Sequence, residues 1–340
     1  MFGIKKRLQR LEKLFTSKAI ILMYHSIGEP GIDPWELSVS PSNFEQQLQI
    51  LQNSFKVSSV SDIALSLQKG RLKNKTVALT FDDGYRNNFQ IAAPLLEKYN
   101  VPATFFITNK LGEEKMYWWD SLANLILRTS VLPADFEITI REKTINYSIG
   151  EESVLNEYLE QLHRKWVATD PPPTKRSELF YKLWELMQPL PPDEIEQVLQ
   201  LVKNWTGATQ AMLFLDTSLV KGEELKKLAN HRLIDIGLHT VNHIALGYHS
   251  AQVQETEIAQ NKNLLEQIIN RQITTIAYPY GEYNDTTLNI VEKTGLRAGV
   301  TVEYNVVNNS ANPFKLGRFQ VKNWNAMQFE EKLLKWMKHK

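Results

Sequence analysis

Short apolar runs alternate with helical patterns along most of the chain. Seven runs have the length of buried strands, at 19–24, 76–81, 103–108, 233–238, 273–278, 297–302 and 316–321. Apolar residues spaced three and four apart predict helices between most of them, at about 41–52, 61–68, 88–99, 251–269 and 285–294. Mostly apolar strands joined by helices are typical of a covered parallel sheet. The pattern therefore predicts an α/β fold, a distorted and incomplete (β/α) barrel of about seven strands.

The alternation stops between residues 110 and 207. Residues 135–149 alternate like a β-hairpin with a turn near 141–143, and helical patterns follow at 151–167, 174–187 and 192–205. We predict an inserted, mostly helical subdomain at 110–207, which interrupts a barrel made of 18–109 and 208–340.

Residues 1–17 have the pattern of an amphipathic helix with a basic face. Its apolar positions are Phe2, Ile4, Leu8, Leu11, Leu14 and Phe15. Such a helix could make peripheral contact with an anionic membrane. It could also pack against the barrel, and the shortness of the segment favours packing.

The amino-acid composition excludes several classes of binding partner and active site. The 340 residues carry 39 Lys and Arg against 38 Asp and Glu, which argues against a nucleic-acid partner bound through bulk charge. The absence of cysteine excludes disulfides, Cys-ligated zinc and thiol nucleophiles. The run at 19–24 is far shorter than the roughly 20 residues that span a bilayer, and it is short for a signal peptide. We expect a cytoplasmic protein or one at the inner membrane surface.

Two carboxylates, Asp82 and Asp83, follow the strand at 76–81 directly. Burying charge without a partner is unfavourable. Because successive side chains diverge, one carboxylate could bind a metal while the other faces a substrate. Asp-Asp-Gly is also a common turn sequence, so this motif alone does not decide between a functional pair of carboxylates and an ordinary turn.

Two imidazoles, those of His239 and His243, follow the strand at 233–238. On a helical turn, positions four apart share a face, so both rings could bind one ion. Alternatively, one ring caps a backbone group and the other is solvated. Two imidazoles with one carboxylate make a familiar site for zinc or a similar divalent ion. A third motif, Pro279-Tyr280-Gly281, predicts a sharp turn that can direct a backbone N–H into the barrel mouth.

Together, the three motifs resemble those of the polysaccharide deacetylases, the NodB-homology group of carbohydrate esterase family 4. Residues 80–84 match the family motif TFDDG, residues 239–243 match H-S/T-x-x-H, and Pro279-Tyr280 match the end of the third motif. The resemblance covers about 18–109 and 215–325. It implies a metal-dependent hydrolase that removes acetyl groups from N-acetylated sugars of a polysaccharide or glycan precursor.

The resemblance also implies a role for each matched residue. Asp83, His239 and His243 would hold a divalent ion, with zinc as the first expectation. Asp82 would be the general base, and the backbone N–H of Tyr280 would help to stabilise the oxyanion.

The sequence departs from the family in two places. Ala277 stands where the third motif opens with an arginine, and Arg318 could reach the same site from a neighbouring strand or could be exposed. The C-terminal Leu-x-His that supplies the general acid has no counterpart, because the only histidine beyond His249 is His339. His25 would replace it, as in the similar branch that deacetylates poly-N-acetylglucosamine; a core histidine bonded to a backbone carbonyl is the alternative.

The remaining aromatic and imidazole groups give weaker indications. Aromatic residues that flank the predicted mouth could stack on sugar rings, although packing is favoured for the two adjacent tryptophans: Trp35, Tyr85, Tyr117, Trp118, Trp119 and Tyr280. His163, His231 and His249 are interpreted as surface or capping residues. Two rival functions use the same residues: an O-acetyl esterase or other non-peptide C–N hydrolase, and an inactive carbohydrate-binding protein, which only Ala277 favours.

Overall fold

The computed structural model describes residues 18–29, 31–73, 75–112, 116–207 and 217–338, and their contacts divide them into two units. Unit 1 comprises the described residues of Met1–Glu29, Ser38–Gly112 and Leu219–Lys340, and unit 2 those of Pro30–Leu37 and Glu113–Ser218. The amphipathic helix predicted for 1–17, with its possible membrane contact, lies outside the described residues, and so does His339.

Most strands of unit 1 are short and fully buried, as parallel strands usually are. Across both units, with β7 and β8 in unit 2, the strands are β1 Lys18–Tyr24, β2 Ser26–Ile27, β3 Ser38–Val39, β4 Lys56–Ser58, β5 Thr76–Phe81, β6 Ala103–Ile107, β7 Asp135–Ile140, β8 Lys143–Ser148, β9 Ile234–Leu238, β10 Thr275–Ala277, β11 Ala298–Val300, β12 Val307–Asn308 and β13 Phe319–Gln320. The main sheet follows the order β11-β10-β9-β6-β5-β1-β12, with β4 added beside β5 and β13 beside β1. The predicted incomplete α/β barrel is confirmed.

Helices follow the predicted positions closely in unit 1. Across both units they are α1 Pro41–Ser54, α2 Val60–Gln68, α3 Ala93–Lys98, α4 Trp118–Ala123, α5 Glu157–Lys165, α6 Lys175–Met187, α7 Pro192–Thr206, α8 Gly222–Ala229, α9 Ala251–Ile269, α10 Asp285–Lys293 and α11 Ala326–Met337. The side chains of Ser40, Ser59 and Ser250 cap α1, α2 and α9 by accepting a backbone N–H. Among the described residues, no helix combines the length and apolar character that crossing a membrane requires.

Strand register brings the carboxyl ends of the central strands to one edge of the sheet. β1 pairs with β5 from Ala19–Thr76 through to Tyr24–Phe81, so both strands end at the same level. β6 pairs with β9 up to Ile107–Leu238, and Leu238 also pairs with Ile276 of β10. Residues that directly follow β1, β5, β9 and β10 therefore share one end of the barrel.

One short segment contacts both β11, at one edge of the main sheet, and β1, next to the other edge. Leu316 forms a parallel bridge to Val300 of β11, and three residues later Phe319 pairs with Leu22 of β1. The strand predicted at 316–321 is thus reduced to the two residues of β13. At Gly317 an added Cβ would lie 2.7 Å from the Glu303 carbonyl oxygen, so only glycine fits this turn.

Alternate residues of the strands contribute to two apolar cores. One core contains small residues such as Ala78 and Ala298, and α2 packs into it through Val60 and Ile63. The other lies between the opposite face of the sheet and the helices α1, α3, α9, α10 and α11. The sheet is therefore covered on both faces.

Two basic side chains, those of Arg176 and His163, are buried inside unit 2. Arg176 is fully buried and donates hydrogen bonds to the carbonyl oxygens of Ile126, Thr129, Glu152 and Ser153. Such bonds satisfy the guanidinium where no water reaches it.

His163 is the second buried basic group of unit 2. Its ring lies 3.0 Å from the Leu127 carbonyl oxygen and 3.0 Å from the Thr174 hydroxyl. The interpretation of His163 as a surface residue is therefore wrong, whereas its bond to Leu127, in the last turn of the π-helix Asn124–Arg128, agrees with a capping role. In α5, His163 lies four residues after the buried Leu159 and so on the same face of the helix, but charged residues follow it directly. The sequence of α5 alone does not show that this face is covered.

We expect His163 to make the stability of unit 2 sensitive to acid. Burial lowers the pKa of His163 to about 4, further helped by the charge of Arg176 and opposed by the Leu127 carbonyl. Because the unfolded chain binds a proton below about pH 6.5 and the folded chain does not, the free energy of unfolding falls as the pH drops from about 6.5 to 4, by up to about 3 kcal/mol. His163→Gln should lower stability at pH 7 but flatten this slope.

The measurement is guanidinium denaturation followed by tryptophan fluorescence, since most of the tryptophans lie in unit 2. His231→Gln in unit 1 is the matched control and should keep the wild-type slope. Equal slopes for wild type and His163→Gln would contradict the assignment.

Candidate metal centre and active site

All the sequence-predicted site residues lie in unit 1. His25 follows β1, Asp82 and Asp83 follow β5, His239 and His243 follow β9, and Tyr280 follows β10. Arg318 lies immediately before β13.

Asp83, His239 and His243 form a buried cluster of possible metal ligands. The Asp83 Oδ1 atom lies 3.3 Å from Nε2 of His239 and 3.1 Å from Nε2 of His243. One ligand atom from each of the three residues lies within 4.8 Å of the others, and all three residues are buried. The geometry that the spacing of the two histidines suggested is therefore present, although the chain forms a loop here rather than a helix.

Hydrogen bonding shows why this cluster suits a cation. His239 Nδ1 lies 2.8 Å from the Ala277 carbonyl oxygen, which can only accept, so Nδ1 carries a proton. Burial would lower the pKa of His239, but its hydrogen bond to Asp83 and the charges of Asp82 and Asp83 raise it, so a proton on Nε2 can balance Asp83 when no ion is bound. A divalent ion in place of that proton would meet the Nε2 lone pair and the carboxylate together. Burial lowers the pKa of His243 to about 4, so its ring is neutral near pH 7. The three residues fit a divalent ion.

Unusual backbone conformations are concentrated in the same loops. Asp83, Thr240, His243 and Tyr280 all have φ between 57° and 72°, a region that non-glycine residues rarely adopt. Such conformations persist only where surrounding contacts enforce them, and they cluster at functional sites.

Helix α9 supplies the contacts that hold the histidine loop. Glu257 accepts hydrogen bonds from both the backbone N–H (2.9 Å) and the side-chain amide (2.7 Å) of Asn242. Asn261 accepts the N–H of His239 at 3.0 Å and donates to the Ile107 carbonyl at 3.0 Å. Sequence reasoning missed both residues. The available signal was that Gln254, Glu257 and Asn261 are polar residues on the apolar, buried face of α9.

Asp82 is held by a buried ion pair with Arg318. The two carboxylate oxygens accept from Nη1 and Nη2 of Arg318, each at 2.7 Å, and Arg318 is fully buried. The guanidinium also donates to the Thr301 carbonyl at 2.9 Å and to the Thr80 hydroxyl at 3.0 Å. Arg318 therefore occupies the position beside Asp82 that the sequence analysis considered for it, and it is not exposed.

This environment sets the charge of Asp82. Burial alone would raise the pKa of Asp82, but the charge of Arg318, then that of His239, and the bonds from Arg318 together hold the pKa below its usual value. Asp82 is therefore ionised at neutral pH. A bidentate arginine uses one lone pair on each oxygen, so two lone pairs of the carboxylate remain for a substrate or a water molecule.

His25 lies beside the two carboxylates. Tyr24 pairs with Phe81, and the Asp82 N–H donates to the Tyr24 carbonyl at 3.0 Å, so His25 and Asp82 are neighbours across the two strands. His25 makes the smallest electrostatic contribution to the lowered pKa of Asp82, where burial is opposed mainly by Arg318, and of Asp83, where it is opposed mainly by His239 and His243. Its side chain is half-buried, and no hydrogen bond from its ring to a backbone carbonyl is present within the described residues.

Tyr280 lies in a tight turn against the metal cluster. Pro279–Gly281 form a 3-10 turn after β10, and the Tyr280 ring meets the His243 ring edge-on, with centroids 4.5 Å apart. A Cβ at Gly281 would overlap the side chain of Val302, so the turn requires glycine. The turn thus fixes the backbone of Tyr280 next to the ligand His243.

The aromatic residues expected around the mouth divide between the units. In unit 2, Tyr117 stacks on Trp119 at 4.3 Å, Trp118 meets Trp119 edge-on, and Trp35 packs on Trp184 at 4.3 Å. These contacts agree with a packing role for Trp118 and Trp119. In unit 1, Tyr85 is buried and forms a β-bridge with Leu219.

Comparison with known protein families supports the motif assignment. The family model described as polysaccharide deacetylase matches residues 69–135 and 190–299 of this chain. The Bacillus subtilis protein YxkH, which is named after the same family, is 25% identical over 307 residues, covering 90% of this chain and 72% of the relative. A Staphylococcus aureus poly-β-1,6-N-acetyl-D-glucosamine N-deacetylase is 33% identical over 93 residues, which is 27% of this chain and 32% of the relative.

Solved structures share the fold. The Streptococcus pyogenes deacetylase PplD, in complex with acetate, is similar with a TM-score of 0.55 at 22% identity, over 94% of this chain and 98% of that one. IcaB from Ammonifex degensii is similar with a TM-score of 0.54 at 16% identity, over 94% of this chain and 97% of that one.

We expect Glu257→Gln to weaken binding of a divalent ion. An amide offers one acceptor oxygen where the carboxylate offers two, so one Asn242 donor would face an NH₂ group and the histidine loop would loosen. Loss of such a supporting contact typically weakens metal affinity about 10- to 100-fold.

Competition with a zinc chelator measures the effect. Glu255→Gln is the matched control, because Glu255 is exposed on the same helix. Equal metal affinity in the two variants, both folded by circular dichroism, would show that Glu257 does not support the site.

Proposed function

This chain belongs to the polysaccharide deacetylase family, hydrolases of carbon–nitrogen bonds other than peptide bonds, and we propose that it is a metal-dependent enzyme that removes acetyl groups from N-acetylated sugars of a polysaccharide or glycan precursor. One observation carries the proposal. Two imidazole nitrogens face the buried Asp83 carboxylate, directly beside a second carboxylate that Arg318 keeps ionised. A catalytically inactive binding protein would have no need for this costly arrangement.

Asp83, His239 and His243 would hold the ion, and we propose zinc because two nitrogens and one carboxylate oxygen suit it. The same ligands accept cobalt, nickel or manganese. A bound divalent ion would polarise an acetyl carbonyl and lower the pKa of a water molecule.

Asp82 is proposed as the general base. It is ionised at neutral pH, and its fork of hydrogen bonds to Arg318 leaves it a single orientation. It would accept the proton of the water that attacks the acetyl carbon. Arg318 would act as a positioning residue, in place of the arginine that the third motif lacks at Ala277.

Two further groups complete the proposed mechanism. The backbone N–H of Tyr280 would donate to the oxyanion, an interaction typically worth about 3 kcal/mol. His25 would protonate the nitrogen of the leaving amino sugar, since it lies at the end of β1 beside Asp82.

N-acetylated glucosamine polymers are the substrate class that we propose to test first. A relative that matches over part of its length is named as a poly-β-1,6-N-acetyl-D-glucosamine N-deacetylase. Exposed aromatic side chains of unit 1, those of Tyr248 and Tyr304, offer faces on which sugar rings could stack.

Metal content and acetate release, measured on one sample, test the proposal. We expect about one divalent ion per chain, by elemental analysis, and acetate release from N-acetylglucosamine oligomers. Asp82→Asn should keep the ion and lose at least about 100-fold in turnover, whereas His243→Ala should lose both.

Different failures would have different meanings. Full activity of Asp82→Asn would exclude Asp82 as the base. Acetate released from O-acetylated sugars but not from N-acetylated ones would identify an esterase. A chain that binds no ion, even after reconstitution, would contradict the metal-dependent mechanism.

His25→Ala tests the general acid separately. We expect turnover of N-acetyl substrates to fall about 100-fold or more, with metal content unchanged. An aryl acetate has a leaving group that needs no proton, so its hydrolysis should fall much less. His231→Ala is the control. An equal loss on both substrates would assign His25 to structure rather than to proton transfer.

A further inference from the structure

A second candidate site lies at the opposite end of the barrel strands. A cavity of about 510 Å³ opens between α2 and the amino-terminal ends of β4, β5 and β6, where Lys56, Thr76 and Pro102 line it. Lys69, Arg71 and Lys73 line it as well, and we call this space the basic cavity. β5 starts at Thr76 and reaches Asp82 six residues later, so about 20 Å separates the basic cavity from the metal centre.

The charge of the basic cavity stands out because the whole chain is nearly neutral, with a net charge of +1. Four cationic side chains line the cavity, and the carboxylate of Asp62 is the single acidic group in its lining. Asp62 also accepts a hydrogen bond from Ser58 at 3.4 Å. Within the described residues, none of the four cations forms an ion pair with a carboxylate.

The cations of the basic cavity outnumber its acidic groups by four to one. The pKa of Lys56 is lowered mainly by Lys73, then by burial, with the charge of Asp62 opposing, which agrees with like charges that lie near one another. A group with nearly two negative charges would balance such a lining better than a carboxylate, which carries only one. A phosphate monoester carries about −1.5 to −2 at neutral pH.

The volume of the basic cavity, about 510 Å³, leaves room for a ligand larger than inorganic phosphate. Val57 and Leu65 are half-buried and form an apolar part of the cavity wall. A ligand with an apolar or sugar moiety attached to its phosphate would contact this wall while the cations bind the charge. Side-chain stems of lysine and arginine can cover such a moiety from the solvent side.

We propose that the basic cavity binds the phosphate or diphosphate group of a ligand whose attached moiety packs on Val57 and Leu65. Two sources share this chemistry, a soluble phosphate ester and the headgroup of a phospholipid. The site is independent of the deacetylase mechanism, since it uses none of the residues assigned there.

The test compares a double variant with a control of equal charge. Lys56→Gln/Lys73→Gln removes two of the four cations, and Lys226→Gln/Lys227→Gln removes two exposed charges from α8. Sodium pyrophosphate, titrated calorimetrically, is the soluble probe. Sedimentation with phosphatidylcholine vesicles containing phosphatidic acid is the lipid probe. Because pyrophosphate can also bind a metal centre, the difference between the two variants decides the result.

We expect the cavity variant to bind at least one probe about tenfold or more weakly than wild type, and the control to bind like wild type. Loss for pyrophosphate identifies a soluble ester as the source, and loss confined to vesicles identifies a lipid headgroup. Acetate release should be unchanged in both variants. Wild-type binding of both probes by the cavity variant, or an equal loss in the control, would overturn the proposal.

Discussion

The buried ion pair between Asp82 and Arg318 is the constraint on which the catalytic end of unit 1 depends. The two residues are 236 positions apart, and they meet where no water screens their charges. Removing one partner of such a pair typically destabilises a protein by about 3–5 kcal/mol, because the other charge is left buried. Arg318 also lies between Leu316, which bridges to β11, and Phe319, which pairs with β1. The segment that contacts both β11 and β1 is therefore fastened by the same contact that orients the proposed base.

The negative charges of the adjacent residues Asp82 and Asp83 are compensated in two different ways. Asp82 has a permanent cation in Arg318, so its charge does not depend on any bound ligand. Asp83 faces two imidazoles, which carry no fixed positive charge near neutral pH when their Nε2 atoms bind a metal. Asp83 has a positive φ of 72°, and its side chain meets the two imidazoles, whereas that of Asp82 meets Arg318. One carboxylate thus has a fixed counter-charge and the other requires an ion, and this difference underlies the proposed division into base and ligand.

The sequence predicted the strands and the strand-end motifs because both follow local rules. Buried parallel strands are short apolar runs, and register brings residues after β5 and β9 to one edge. Arg318 could be proposed from the sequence only because it lies in the last predicted strand, at 316–321, and a neighbouring strand could bring it to the site that Ala277 leaves without an arginine. Glu257 and Asn261 were missed because a helical pattern is defined by its apolar positions, so polar residues on the buried face go unnoticed. The grouping of 31–37 with unit 2 depends on long-range contacts that no local pattern records.

Charged side chains are buried at the carboxyl ends of the central strands and exposed at their amino ends. At the carboxyl end Arg318 lies within 3 Å of buried Asp82, and buried Asp83 lies about 3 Å from two imidazole nitrogens, where a bound ion would balance its charge. At the amino end the four cations of the basic cavity are exposed, so water can stabilise each of them and burial imposes no partner. Folding therefore does not account for four cations around one cavity, whereas the proposed anion would. The catalytic end is thus organised by the requirements of burial, and the basic cavity would be organised by those of the proposed ligand.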